Sequence, residues 1–285
     1  MASRPIVRDD DSRTRISPRM FARLAEFVEG HAGIKLPASK QALVEGRLLR
    51  LLRSSSMDSI DAYCEHVLSA RASAGQRRDL INALTTNKTD FFREPAHFEY
   101  LASRILPEIV HDGSGRMRCW SAAASTGMEA YTLAMVIADY ARRAGPLDFE
   151  ILATDIDTNV LKEARRGVYP LASLEPVPTQ LRSRYVQRAR DLRRLEGRIV
   201  PELRNRIAFG RLNLMEPRYP VGDPMDLILC RNVLIYFEKH VQAKVVARLC
   251  DNLKPGGHLM LGHSESITGL DLPLKSVANT VFRRL

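Results

Sequence analysis

From residue 116 onward, short apolar runs alternate with longer segments of helical periodicity. The runs MRCWSAA, FEILATD and DLILC are separated by segments such as AYTLAMVIADYARR and NVLKEARRG. Such alternation is typical of βαβ units, in which parallel strands are covered by helices on both faces. The pattern therefore predicts an α/β domain with a doubly wound parallel sheet over residues 116–285.

The preceding part of the chain shows helical spacing and no strand pattern. Ser17 and Pro18 form a pair typical of an N-cap and the first helical position. A second apolar helical pattern covers about residues 40–53. We expect a small all-helical domain over residues 1–83 and a linker over residues 84–115.

The positive charge of the chain is concentrated in one region. The formal net charge is +10, and residues 162–218 hold 14 Lys and Arg against 6 Asp and Glu. Within this region, residues 168–212 break the βαβ alternation, so we expect a basic inserted subdomain there. A basic surface attracts acidic partners, which include nucleic acid, anionic lipid and acidic protein faces.

Apolar runs and cysteines indicate the compartment. No apolar run approaches the roughly 20 residues of a membrane helix, and the first residues lack a secretory signal. The four cysteines show no CxxC spacing and the histidines show no ligand spacing, so we expect neither a disulfide framework nor a metal site. The sequence predicts a cytoplasmic protein without membrane insertion.

A loop of small residues follows the first apolar run. Between Ser121 and Gly127 no residue is larger than Thr126, as expected where a ligand approaches the main chain. A pyrophosphate would favour a glycine-rich loop, whereas S-adenosylmethionine is cationic and suits the acid at Glu129. Alternatively, Thr126 and Glu129 form a capping box, and the small residues serve packing.

Two acids follow the second apolar run. Asp155 lies at the spacing expected of an acid that accepts from ribose hydroxyls, although a capping role is the alternative. Asp157 precedes Thr158 and is expected to cap the next helix. Asn213 and Leu214 follow a later apolar piece, where an adenine edge could be recognised.

Five segments of the chain form a combined pattern. They are NALTTNKTDFFRE, WSAAASTGMEAYTLAM, ILATDIDTNVLKEARRGVY, DLILCRNVLIYFEK and LKPGGHLMLGHSES. Together they resemble one family, the CheR chemotaxis protein-glutamate methyltransferases. The resemblance implies a class I methyltransferase (Rossmann-like) fold with a small inserted β-subdomain, and methyl transfer from S-adenosylmethionine to glutamate γ-carboxylates of chemoreceptors, with S-adenosylhomocysteine as product. We expect a monomer that binds the cytoplasmic helical bundle of methyl-accepting receptors and no nucleic acid.

The resemblance also implies roles for individual residues. The segment over 84–115 contributes to the active site, where Arg93 and Tyr236 are the catalytic candidates. Residues expected to bind the cofactor are Asn87, Thr89, Arg93, Ala123, Glu129, Asp155, Asn213, Leu214, Arg231 and Asn232.

The sequence departs from the family pattern in two places. Met128 and Ala130 stand where the family often has Glu and Pro, but Glu129 is retained, so we expect the pocket to survive. Residues 187–198 lack the glycine-rich loop of members that bind a receptor's C-terminal tether, which makes tether binding doubtful.

Methyl transfer to a glutamate requires correct orientation of the reactants rather than a general base, because the glutamate carboxylate is already ionised at neutral pH. Arg93 is expected to hold a carboxylate of the cofactor or of the substrate, and the alternative is an ion pair with Glu94 or Glu99. Tyr236 is expected to pack on the methyl group, and the alternative is a core aromatic beside Phe237.

On the second predicted helix, Arg47, Arg50 and Arg53 share one face. They form either a solvated stripe or, as the resemblance implies, a docking face for an acidic receptor bundle. The other functions considered are a nucleic-acid methyltransferase, an inactive cofactor-sensing scaffold, and a family member that serves a non-chemotaxis signalling array.

Overall fold

A computed structural model of the chain describes residues 11–113, 115–191 and 193–285. Residues 1–10, for which the sequence predicts no secretory signal, lie outside the described residues. The chain divides into two compact units after Thr86, three residues beyond the predicted end of the helical domain. Among the described helices, none combines the length and apolarity that a membrane crossing requires.

The first unit is all-helical, as the sequence predicts. The Ser17 side chain accepts a hydrogen bond from the Met20 amide and caps the second helix, and Ser73 forms a capping box with Gln76. In the helix after Ser17 the apolar positions at helical spacing, Met20, Leu24 and Val28, are buried, whereas Leu43 in the next predicted helix is 50% exposed. The helices are α1 (Asp11–Thr14), α2 (Pro18–Ala32), α3 (Gln41–Arg53), α4 (Ile60–Leu68) and α5 (Ala74–Leu84).

The second unit begins with a helical segment and continues as an α/β fold. The initial segment comprises α6 (Ala96–Tyr100), a π-helical stretch (Leu101–Ile105) and α7 (Leu106–His111), and its buried apolar residues join the core of the unit. The sheet strands are β1 (Arg116–Ala122), β2 (Asp148–Asp155), β6 (Ile207–Arg211), β7 (Met225–Cys230), β8 (Leu253–Leu261), β9 (Leu274–Ala278) and β10 (Val281–Arg284).

These strands form a seven-stranded sheet in the order β6-β2-β1-β7-β8-β10-β9. Pairing is parallel from β6 to β8, whereas β10 is antiparallel to β8 and β9. The strand order reverses between β1 and β7, which is where doubly wound sheets bind ligands. The main connecting helices are α8 (Met128–Ala144), α9 (Thr158–Arg166) and α12 (Lys239–Asp251). The predicted doubly wound sheet is confirmed, but it is mixed rather than wholly parallel, because β9 and β10 add an antiparallel edge.

Part of the predicted basic insertion over residues 168–212 forms a small antiparallel sheet. Its strands are β3 (Val168–Pro170), β4 (Val186–Arg188) and β5 (Glu196–Ile199), in the order β3-β5-β4, and the helices beside it are α10 (Thr179–Tyr185) and α11 (Pro201–Arg204). In β5, Gly197 and Ile199 are buried, whereas Glu196 and Arg198 are exposed, as expected of a sheet with one solvated face. The predicted β-subdomain is therefore confirmed, but its predicted end is too late, because residues 207–211 form β6 of the large sheet.

One predicted turn falls inside the bounds of a strand. The sequence Lys254-Pro255-Gly256-Gly257 predicts a turn that leads into a strand, and these residues lie within β8 at a break in its pairing with β7. Leu253 is the register partner of Met225 and His258 is that of Leu227, so the four residues between them have no partner in β7. Gly256 has a φ of 77°, a left-handed value that a β-bulge accommodates and that glycine adopts without steric cost. Gly257 has no room for a side chain, because a Cβ there would lie 2.9 Å from the Lys254 carbonyl oxygen.

Candidate functional site

Three neighbouring strands end at one edge of the large sheet. Ala122, the last residue of β1, is the register partner of Thr154 in β2 and of Cys230 in β7. The segments that follow these strands therefore meet at the carboxyl edge, at the reversal of strand order. Half of the ten residues predicted to bind the cofactor lie at the ends of these strands or on the segments that follow them, namely Ala123, Glu129, Asp155, Arg231 and Asn232.

The loop after β1 has an unusual backbone. Ala123 and Ser125 have φ values of 62° and 52°, in the left-handed region that non-glycine residues rarely adopt. The amide of Ala124 donates to the carbonyl oxygen of Thr154 at 2.9 Å, which ties the loop to the end of β2. Strained residues of this kind persist only where their surroundings hold them, and they are concentrated at functional sites.

Asp155 holds this loop from the end of β2. Its carboxylate accepts from the Ser125 amide at 2.8 Å and from the Asp157 amide at 2.9 Å. Burial raises the pKa of Asp155 to about 6, although these hydrogen bonds oppose the shift. Because a carboxylate oxygen can accept more than one bond, Asp155 retains the capacity to accept from a ligand hydroxyl group.

Asn87 is drawn to the same edge. Its side-chain amide donates to Asp157 at 2.7 Å, and its carbonyl oxygen accepts from the Ser125 hydroxyl at 2.8 Å. The Asp157 carboxylate also accepts from the Asn159 amide and caps α9, which confirms the predicted cap. The segment that carries Asn87 is thus bound to the loops after both β1 and β2.

The small-residue loop also serves packing. Gly127 has a φ of 86°, and a Cβ there would lie 2.8 Å from the Cβ of Ala164 in α9. The capping-box alternative is wrong, because Gly127 is the N-cap of α8 and no side chain caps the helix. Instead, Glu129 accepts a hydrogen bond from the Ser121 hydroxyl at 2.6 Å.

A buried arginine joins two acids at this edge. Arg231, which directly follows β7, donates to Glu129 at 3.1 Å and to Glu94 at 2.9 Å. Its side chain is 2% exposed, and those of the two acids are 12% and 13% exposed. The two carboxylates share one guanidinium, so the cluster carries a net negative charge when both acids are ionised.

The two acids of this cluster differ in their pKa shifts. Burial raises the pKa of Glu129, against the opposing charge of Arg231 and the hydrogen bond from Ser121. Burial would also raise the pKa of Glu94, but hydrogen bonds from Asn232 and Arg231 outweigh it and lower that pKa to about 2. Glu94 therefore stays ionised at any physiological pH.

Glu94 also lies beside two histidines, although the sequence shows no ligand spacing. One ligand atom from each of Glu94, His97 and His263 lies within 4.8 Å of the others. Burial, followed by the charge of Arg231, lowers the pKa of His97 to about 4, so its ring is neutral at pH 7. Since Arg231 already compensates Glu94, a cation at this point would have to compete with the guanidinium.

Arg93 and Tyr236, the predicted catalytic pair, are both half-buried. The guanidinium of Arg93 donates to the carbonyl oxygen of Lys88 at 3.1 Å. The alternative role considered for Arg93 was an ion pair with Glu94 or Glu99, and its hydrogen bond is instead to the main chain. Tyr236 ends a short 3₁₀ helix after β7 and packs against the core that contains its neighbour Phe237, so it has part of the character of the core aromatic that was the alternative. Both Arg93 and Tyr236 keep part of their surface exposed.

The remaining predicted cofactor residues lie on loops of the second unit. Asn213 and Leu214 are buried just after β6, and Asn213 accepts from the Met215 amide at 3.0 Å. Thr89 is half-buried in the segment before α6, and Asn232 has a φ of 58° and donates to Glu94 at 3.0 Å.

The predicted docking residues separate into two kinds. Arg47 donates to the carbonyl oxygens of Leu84 and Thr85, each at 2.7 Å, at the end of α5. It therefore satisfies main-chain groups that a helix end leaves without intrahelical partners. Arg50 and Arg53 are exposed.

Two acids at this edge were missed by sequence reasoning, namely Glu94 and Glu265. Glu94 directly follows Arg93 and was considered only as its ion-pair partner. Glu265 is 5% exposed, lies four residues after the end of β8, and accepts bonds from main-chain amides after β7. The sequence indicates these two acids only by where they stand in the chain, because both lie on segments expected at the carboxyl edge of the sheet.

Comparison with known proteins gives the same family for both units. A family profile described as CheR methyltransferase, SAM binding domain, matches residues 87–282, and one described as CheR methyltransferase, all-alpha domain, matches residues 15–85. The chemotaxis protein methyltransferase of Salmonella typhimurium is 39% identical over 270 residues, which are 95% of this chain and 91% of that protein. That of Escherichia coli is 38% identical over 95% of this chain and 92% of its own length.

Proposed function

The chain belongs to the CheR methyltransferase family, and we propose that it methylates glutamate γ-carboxylates of methyl-accepting chemotaxis receptors. It is a methyltransferase that uses S-adenosylmethionine. The proposed products are glutamyl methyl esters and S-adenosylhomocysteine, formed by a cytoplasmic monomer during sensory adaptation. The similarity to curated chemotaxis protein methyltransferases over most of the chain supports this substrate class.

The observation that carries the proposal is the charge of the buried carboxyl edge. Asp155, Glu94 and Glu129 gather there, and Arg231 is the buried cation that pairs with the two glutamates. A net negative pocket suits a ligand with a sulfonium and an ammonium group, and Asp155 has the acceptor capacity that a ribose diol requires. The residues present therefore fit the cofactor.

Arg93 supplies the complementary positive charge. Its guanidinium is bound to a main-chain carbonyl oxygen rather than to an acid, so it can still bind a carboxylate in the fork geometry that arginine favours. We assign Arg93 to a carboxylate of the cofactor or of the substrate, and Tyr236 to the side of the pocket where the methyl group leaves.

When bound, the cofactor supplies a methyl group on a sulfonium, and one carboxylate oxygen of the substrate displaces the neutral thioether. An ionised glutamate needs no proton removed, so the site requires no general base. The contribution of the protein is orientation and exclusion of water, and alignment of reactants can lower a barrier by roughly 7–11 kcal/mol. Cys230 takes no part, because burial raises the pKa of its thiol well above the usual range.

We assign receptor docking to the exposed face of α3. Arg50 and Arg53 lie three residues apart and are both exposed, and the acidic partner proposed here would attract them. Arg47 has a structural role in addition, since it donates to the end of α5. Arg50→Glu should lower receptor methylation several-fold and leave cofactor affinity unchanged, and equal loss of both would exclude docking as the role of Arg50.

The test of the proposed function mixes the protein with S-adenosylmethionine labelled in its methyl group and with receptor-bearing membranes. Carboxyl methyl esters hydrolyse readily in base, so base treatment should release the label as volatile methanol. Asp155→Asn serves as the control, because it keeps the shape of the site and removes the carboxylate. Label that stays fixed to protein in base, or that passes to RNA, would exclude glutamate esterification.

A further inference from the structure

Glu265 forms an unusual set of hydrogen bonds beside the proposed site. One of its carboxylate oxygens accepts from the amides of Val233 and Leu234 at 2.8 and 2.7 Å. The other accepts from the amides of Asn232 and Gly262 at 2.9 and 2.6 Å. The residue is 5% exposed, so its four bonds replace the water that the carboxylate lost on burial.

The four donors are main-chain amides, three of them consecutive in the chain. The buried guanidinium nearby, that of Arg231, pairs with Glu94 and Glu129. Successive amides that converge on one anion form a concave site whose partial charges stabilise it. Glu265 therefore shapes the main chain after β7 in the way that a bound anion would.

The backbone held by Glu265 is strained. Asn232 has a φ of 58°, in the left-handed region that residues other than glycine adopt uncommonly, although Asn does so more readily than most. Gly262 leaves no space on the other side, because a Cβ there would lie 2.5 Å from the Asn232 side-chain nitrogen and 2.8 Å from its amide nitrogen. Such a conformation persists only when neighbouring groups impose it, and the bonds to Glu265 do so.

This strained turn carries several groups of the proposed site. Arg231 precedes it and pairs with Glu129, the Asn232 side chain donates to Glu94, and Tyr236 follows at the end of the 3₁₀ helix. We propose that Glu265 is a positioning residue for methyl transfer, which fixes the turn so that Arg231, Asn232 and Tyr236 face the cofactor. This inference rests on the function proposed above.

Glutamine in place of Glu265 gives the sharpest test, because it keeps the shape of the side chain. Its amide nitrogen would face two amide N–H donors in place of an acceptor, so two of the four bonds would be lost. Asp226→Asn is the matched control. Asp226 accepts from the Arg118 amide and from Lys254, and it lies near the start of β7, away from the carboxyl edge.

The measurements are the dissociation constant for S-adenosylhomocysteine by calorimetry, amide hydrogen exchange, and the kcat and KM of receptor methylation. For Glu265→Gln we expect faster exchange at residues 232–234 and binding at least about tenfold weaker, with a lower kcat. For Asp226→Asn we expect a dissociation constant within about twofold of that of the unchanged protein. Even where this variant is less stable overall, the change lies away from the carboxyl edge and leaves the folded site unaltered. If Glu265→Gln does not fold, Glu265→Asp takes its place and is compared with Asp226→Asn in the same measurements.

Two outcomes would overturn the inference. In the first, Glu265→Gln binds the product and turns over as the unchanged protein does. In the second, Glu265→Gln and Asp226→Asn lose binding equally, which would indicate general destabilisation. Absence of binding by the unchanged protein would instead exclude the proposed cofactor site, so the two failures are distinguishable.

Discussion

The guanidinium of Arg231 donates to the carboxylate of Glu129 at 3.1 Å and so joins the end of β7 to the first turn of α8. This pair spans the reversal of strand order, and it brings together two segments that lie about a hundred residues apart in the sequence. It also leaves the negative charge of Glu129 only partly compensated, since Arg231 is shared with Glu94.

Replacement of Arg231 should be costly, because two buried acids would lose their partner. We expect Arg231→Met to lower the free energy of unfolding of the second unit by about 3–5 kcal/mol. Arg206→Met is the control, since Arg206 pairs with Asp148 where both side chains are about half exposed, and it should cost less than about 1 kcal/mol. Urea denaturation would measure both, and similar losses would contradict a special role for the buried pair.

Cofactor affinity should depend on pH through Asp155. Burial raises its pKa to about 6, so a fall in pH below 6 protonates the carboxyl group and removes acceptor capacity. Affinity for S-adenosylhomocysteine should fall as the pH drops from 7 to 5, by at most about tenfold per pH unit. A calorimetric series over this range would measure it, and Asp155→Asn should bind weakly with a flat profile.

The raised pKa of Asp155 predicts that the stability of the folded protein, unlike its cofactor affinity, increases as the pH falls. Because the pKa in the folded state exceeds the unfolded value of about 3.9, the contribution of Asp155 to stability is complete below that value and is lost as the pH rises through 6. Unfolding curves of the free protein at pH 4 and pH 7 should show this trend reduced in Asp155→Asn. Identical pH trends in the two proteins would contradict the raised pKa.

The corner after β1 should not tolerate a side chain at Gly127. Its φ of 86° and the 2.8 Å approach to Ala164 mean that Gly127→Ala introduces both strain and a clash. We expect a loss of at least about 1–3 kcal/mol in thermal unfolding. Gly210→Ala is the control, because a Cβ there meets Thr154 at an ordinary 3.9 Å. Equal tolerance of the two changes would contradict the close packing of α9 on this corner.

Arg47 and Arg50 should differ in what they support. Arg47→Met leaves the carbonyl oxygens of Leu84 and Thr85 without their side-chain donor, so we expect a stability loss of about 1–3 kcal/mol in the first unit. Arg50→Met removes an exposed charge and should change stability by less than about 0.5 kcal/mol. Equal melting temperatures for the two variants would show that the bonds of Arg47 contribute nothing.

Much of the fold is predictable because its signals are local. The βαβ alternation, the Ser17 cap and the Asp157 cap each depend on residues close in sequence, and the structure contains all three. The turn signal at residues 254–257 coincides with a break in the pairing of β8 with β7, and only that pairing shows that the strand continues on both sides of the break.

The site was only partly predictable. Asp155 and Glu129 follow strands and could be identified from spacing, whereas the sharing of Arg231 between Glu94 and Glu129 depends on contacts distant in sequence. Glu265 has no local signature, because the groups that it binds are main-chain amides, which any residue supplies. Such carboxylates become visible only when the fold brings the loops together.

The most direct test of the account is a crystal structure with S-adenosylhomocysteine bound. The account predicts that the ligand lies at the carboxyl edge of β1, β2 and β7, with its ribose hydroxyl groups within hydrogen-bonding distance of Asp155 and its sulfur on the side of Tyr236. A ligand that lies elsewhere, or ribose hydroxyl groups that point away from Asp155, would contradict it.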